Sequence, residues 1–142
     1  MYKRQLHGLF QIVGVLTVLP LSDYAGRKRT ILGSNTLITV LLAGLIFAGT
    51  SWTALCVITA AMAVFYGATF PIYGACAGDY FPREAMGTVA GGWTPFYGGG
   101  AILTHWITGS LRDSTGIYDT GFILCAAMAA VSVVLMGFVR RK

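Results

Sequence analysis

From Thr30 to Gly78 the chain runs 49 residues without an Asp, Glu, Lys or Arg, through Leu37-Ile38-Thr39-Val40-Leu41-Leu42-Ala43 and on through Ile58-Thr59-Ala60-Ala61-Met62-Ala63-Val64. A helix that crosses a bilayer needs about 20 apolar residues for a hydrocarbon core about 30 Å thick. As a single helix this stretch would be roughly 73 Å long at about 1.5 Å per residue. That is too long for one crossing and right for two. The fold-back falls at Gly49-Thr50-Ser51-Trp52-Thr53, where small polar residues sit beside an interfacial Trp.

The same criterion works outward in both directions. Uncharged gaps of 18, 27 and 20 residues follow Arg4, Glu84 and Asp119. Together they give five hydrophobic segments, at about 6–22, 32–50, 53–78, 86–110 and 120–138. In lipid no backbone polar group can stay unpaired, so each segment is expected to be a helix. A β-barrel would need alternation, and the run from Leu37 to Ala43 does not alternate. The expectation is an all-α membrane protein, a single domain over residues 1–142 with five transmembrane helices, the first one shortened. Composition agrees. Of the 142 residues 56% are hydrophobic and 11% charged, against about 25% charged in a soluble domain. The mean hydropathy is +0.71. These values argue against a soluble enzyme, a disordered tail, a disulfide scaffold and a nucleic-acid binder.

Charge sets the orientation. Arg27, Lys28, Arg29, Arg83, Arg140, Arg141 and Lys142 fall on one side of the five crossings, and Lys3, Arg4 and Arg112 on the other. The positive-inside rule makes the first side, with the C-terminus, cytoplasmic. The net charge of +5 is then a topology signal, because its cations sit in short loops at span ends. Lys3 and Arg4 are the misfits. The apolar part of the first segment, Gly8 to Leu21, spans only about 21 Å and contains Gln11 and Pro20. Either a longer helix begins before this chain or the segment is a signal peptide with a basic start, which would leave four spans after cleavage. The second option lacks an A-x-A-like cleavage site. Cys56, Cys76 and Cys125 are odd in number, lie within spans and match no metal spacing. They read as small packing residues.

Segment three places Tyr66, Phe70 and Tyr73 at i, i+4 and i+7, on one helix face, with Pro71 inside the span as a kink. Such a stripe is either solute contact or ordinary packing. In segment four Gly87, Gly91, Pro95 and Gly99 recur every fourth residue, leaving one face without side-chain bulk. A neighbouring helix can approach such a face closely. Gly98-Gly99-Gly100, just after Pro95, makes a soft point for a flexing gate. Trp93, Thr94, Tyr97, Thr104 and His105 supply the polar edge. His105 is the one ionisable group well inside segments two to five. An intramembrane imidazole is a functional-site candidate by default and can carry a proton or contact an anion. It also lies about one turn from Gly109, where an interfacial histidine simply reaches water.

The stretch Leu21-Ser22-Asp23-Tyr24-Ala25-Gly26-Arg27-Lys28-Arg29 resembles the loop signature G-x-L-x-D-R-x-G-R-R of the major facilitator superfamily. Leu21, Asp23, Gly26, Arg27 and Lys28 match. Leu19 and Tyr24 depart from the pattern, which favours its more degenerate copy between helices 8 and 9. Ala77-Gly78-Asp79-Tyr80-Phe81-Pro82-Arg83-Glu84-Ala85-Met86-Gly87 is similar to the family's loop between helices 10 and 11. Gly109-Ser110-Leu111-Arg112-Asp113-Ser114-Thr115-Gly116-Ile117-Tyr118 is similar to its outer loop between helices 11 and 12.

The resemblance implies that the five segments are helices 8 to 12, a partial half-bundle starting inside helix 8. It implies that Tyr66, Phe70 and Tyr73 face a central cavity, which helix 10 lines in the family; with the polar edge of segment four the candidate solute set is Tyr66, Phe70, Tyr73, Trp93, Tyr97 and His105. It implies gating by the loop residues Asp23, Gly26, Arg27 and Lys28, to which the kink and soft-point residues Pro71, Pro95 and Gly99 are added. In the family the carboxylate at Asp23 faces a helix N-terminus in the other half. The alternative is a helix-end turn with basic topology markers. Helices 9 and 12 of the family are peripheral, in keeping with the plainer segments two and five.

The sequence holds no catalytic triad, paired span carboxylates, H-E-x-x-H or phosphate-cradling loop, so no enzyme, metal or cofactor is expected. Transport would be secondary, driven by a gradient. The expected partners are the lipid bilayer, a small solute, a proton or counter-solute, and the missing N-terminal half or another copy of the chain. No nucleic acid is expected. The solute would be a carboxylate by loose analogy, although no cation lies within a span. The alternative is a small stand-alone helical membrane protein, an accessory or assembly subunit without transport.

Overall fold

A computed structural model describes residues 2–48 and 51–139, with side chains described from residue 7 onward. Gly49 and Thr50 of the expected fold-back, the side chains of Lys3 and Arg4, and the tail Arg140-Arg141-Lys142 lie outside the described residues.

The uncharged stretches form helices that satisfy their own backbone polar groups, as lipid requires. The chain runs α1 (Tyr2–Ala25), α2 (Arg27–Ala48), α3 (Trp52–Tyr80), a short 3-10 turn (Arg83–Ala85), α4 (Met86–Thr115) and α5 (Asp119–Phe138). No strand occurs among the described residues. Four helices are long and apolar enough to cross a membrane: α1 from His7, α2, α3 and α5. The fifth, α4, has ample length at 30 residues. Its glycines, threonines, Pro95 and His105 dilute its apolar content.

The helices extend further than the sequence pattern indicates. The stretch from Asp23 to Arg29 is not a loop. Only Gly26 separates α1 from α2, at φ +92°, a left-handed conformation that costs a residue with a Cβ about 1–2 kcal/mol. Gly26 N–H bonds back to Ser22 C=O at 3.1 Å, and its own C=O accepts from Thr30 N–H at 3.1 Å. Arg27, Lys28 and Arg29 therefore form the first turn of α2, against the usual preference for anions at a helix start. At the other end α4 continues through Gly109 to Thr115, into the stretch expected to form the outer loop. It stops at Gly116, with φ +73° and its N–H bonded to Arg112 C=O.

α1 packs on α3 and α2 packs on both α3 and α5. The core between them is Val18, Ile31, Ala68, Ile72 and Cys76. α1 crosses α3 at a glycine contact. A Cβ on Gly14 would run into the Val64 backbone, and one on Gly67 into the Gln11 backbone. α4 buries none of its residues, and its main contacts among the described residues are with α3, α5 and the 3-10 turn preceding it. Outward faces carry large apolar side chains, among them Leu16, Phe47, Val57, Ile102, Trp106, Val131 and Leu135, each more than half exposed. In water such a surface would drive aggregation. In lipid it is the solvated face.

Candidate functional site

Two side-chain stripes meet where α3 faces α4. Helical spacing puts Tyr66, Phe70 and Tyr73 on one side of α3, and Trp93 and Tyr97, one turn apart, on one side of α4. Phe70 stacks on Trp93 with centroids 5.2 Å apart and planes 14° apart. Tyr97 meets Phe70 edge-on at 5.9 Å, and Tyr73 lies 5.6 Å from Trp93. The hydroxyls of Tyr66 and Tyr97 are 3.0 Å apart. Edge-to-face and offset ring contacts of this kind add about 0.5–1.5 kcal/mol each beyond burial.

These five rings line one cavity of about 410 Å³. Asn35 and Ile38 of α2, Thr69 of α3, and Ala129 and Ser132 of α5 complete its wall. Asn35 is buried and its amide donates to Tyr73 Oη at 2.8 Å and to Ser132 Oγ at 3.2 Å. An amide in an apolar interior must find partners, and these tie α2, α3 and α5 together behind the rings. Among the described residues, no charged one lines the cavity. Two of its rings are shared with the next cavity along the bundle. Tyr73 and Trp93 form one wall of a second, apolar cavity of about 340 Å³ that includes Cys76, Tyr80 and Met136. Cys76 and Tyr80 in turn border a third, of about 560 Å³, lined by Asp23 through Arg29 and Asp79. The three lie in succession along α3.

At that end Arg27 is the hub. Its guanidinium reaches Asp79 Oδ1 at 3.0 Å and Asp23 Oδ1 at 3.3 Å, and it also donates to Ala75 C=O. Asp23 thus has a partner within the chain, and Asp79 joins α3 to the α1–α2 corner. Lys28 turns the other way. Its ammonium donates to Gly137 C=O at 3.0 Å and to Val139 C=O, the end of α5, where a cation is favoured.

Five of the six sequence-predicted solute residues therefore come together. His105 does not. It is exposed and its Nδ1 lies 2.8 Å from Ala101 C=O on its own helix, eight residues beyond Tyr97 or about 12 Å along the axis. Pro71 and Pro95 sit inside α3 and α4. A Cβ on Gly99 would meet nothing within 4 Å, as at Gly87 and Gly91, so the small-residue face of α4 has no close neighbour among the described residues. Sequence reasoning missed Asn35, Thr69 and Asp79 as partners. An Asn inside an apolar span is costly enough to have marked itself. Asp79 stood out only as part of a loop pattern, and nothing local pairs it with Arg27, 52 residues away in the chain.

The fold and its exposed apolar shell define an integral, multi-pass helical membrane protein. Residues 6–142 match the family model described as Major Facilitator Superfamily, and the chain belongs to that family of membrane transporters. No curated protein and no solved structure gave a match.

Proposed function

We propose that this chain is the helix 8 to helix 12 part of a twelve-helix secondary transporter that moves a small solute across the cell membrane, with its basic end in the cytoplasm. Three loop patterns in family order support that register. One observation carries the solute-contact reading: Tyr66, Phe70, Tyr73, Trp93 and Tyr97, from two segments, converge on one cavity. α4 crosses the bilayer as the helix that completes this cavity, its polar residues tolerated because they face an aqueous path. The succession of cavities along α3 supports a route from the rings to the basic end. Arg27 with Asp23 and Asp79 acts as a latch at that end, made in one state of alternating access and broken in the other, which biases the balance between them. Another set of helices, the N-terminal half or another copy, supplies the opposing wall, and a proton or counter-solute supplies the drive. The carboxylate expectation gains no support from the cavity, whose wall holds no Lys, Arg or His.

Water access to Tyr97 tests the reading. In a chain with Cys56, Cys76 and Cys125 replaced by serine, Tyr97→Cys is expected to react with a membrane-impermeant maleimide in both right-side-out and inverted vesicles. Met128→Cys, on the outward face of α5, is expected to react in neither. A cysteine at position 97 silent in both would overturn the solute path.

A further inference from the structure

We infer that the aromatic cavity takes an uncharged solute with a flat ring and one or two hydrogen-bonding groups, an inference that rests on reading this cavity as the solute site. Size sets the scale. At about 410 Å³ it falls at the small end of ligand pockets, which run about 300–1,000 Å³. The wall then selects by charge. An anion entering it meets ring faces, which carry negative potential, and no Lys, Arg or His on the lining. A cation meets favourable ring faces but no carboxylate. The nearest along α3 is Asp79, six residues past Tyr73, and it is already bonded to Arg27. On the wall that this chain supplies, either ion would shed its hydration with no counter-charge to replace it, a cost that grows as the site dries. An uncharged ring incurs no such cost.

The hydrogen-bonding inventory fits the same class. The Tyr66 and Tyr97 hydroxyls bond each other at 3.0 Å and are each about half exposed. Each hydroxyl can donate once and accept twice, so the pair retains capacity for a solute's amide, hydroxyl or carbonyl. Phe70 and Trp93 already stack in parallel, so the wall is built of flat ring surfaces, which favour an aromatic solute over an aliphatic one. Asn35, engaged with Tyr73 and Ser132, holds the far side in place.

Matched small probes test this on the full chain in phospholipid vesicles, which add no indole of their own. Trp52→Phe and Trp106→Phe leave Trp93, on the cavity wall, as the sole indole fluorophore. Benzamide is expected to change its emission saturably. Benzoate and benzyltrimethylammonium are expected to bind at least tenfold more weakly, and cyclohexanecarboxamide, which has the amide but no aromatic ring, at least fivefold more weakly. Phe70→Leu is expected to erase the benzamide advantage over cyclohexanecarboxamide. The ranking is read on the unaltered cavity, so it stands even if that variant fails to fold. Tightest binding by either ion, equal binding by the two amides, or a benzamide response that never saturates would overturn the inference. The maleimide labelling at position 97 is independent of these probes, so a wrong solute class and a wrong solute path give different results.

Discussion

Asn35 and Gly67 show how single residues set this bundle. The Asn35 amide joins three helices through two hydrogen bonds, and interhelical polar contacts of this kind in membranes are worth about 0.6–2 kcal/mol. Asn35→Leu is expected to lower unfolding stability in detergent by about that amount, read as a lower Tm. Gly67 sits where α3 meets the Gln11 backbone. Gly67→Ala forces the helices apart and is expected to cost about 1–3 kcal/mol, as overpacking does. Gly74→Ala, with nothing within 4 Å of the new Cβ, is expected to be neutral or to gain up to about 1 kcal/mol from helix propensity. Paired melting curves of the two alanine variants check both. The glycines were legible as small, close-packing residues, but the regularly spaced ones are not those that pack within this bundle. The four-residue spacing in α4 marks a bare face without saying what lies against it. The observed close approaches, Gly14 to Val64 and Gly67 to Gln11, join residues far apart in the chain, and no local spacing announces them.

Among the elements, the spans were readable and the connections were not. Charge gaps locate five helices because the bilayer penalises charge along a whole segment. Helix ends are decided by one residue each. Gly26 and Gly116 end α1 and α4 through positive φ, and the neighbouring polar residues stay helical. That shift gives Lys28 its reach to α5. Removing it in Lys28→Met deprives the Gly137 and Val139 carbonyls of a cation worth about 0.3–1 kcal/mol at a helix C-terminus. Hydrogen exchange is expected to quicken in the last turn of α5 and to stay unchanged in mid-α3. Equal protection of that turn in both proteins would show that Lys28 does not hold it. The rings of α3 were legible as a stripe by period alone. Their partners on α4 were legible only as a polar edge, and the stacking of Phe70 on Trp93 emerges from the packing of two helices.

For the whole molecule, the apolar shell, the five helices and the cation distribution form one argument. An apolar shell of this extent keeps the protein in the membrane pellet after a high-pH carbonate wash, and release into the supernatant would contradict the membrane assignment. The element that bears most weight is α4, the helix least like a span in composition and the one that completes the aromatic cavity. Reporter fusions placed after Pro82 and after Gly116 bracket it. The account predicts a cytoplasmic reporter at Pro82 and an external one at Gly116. Both reporters on the same side would mean that α4 does not cross, and the cavity would lose its place in any route through the membrane.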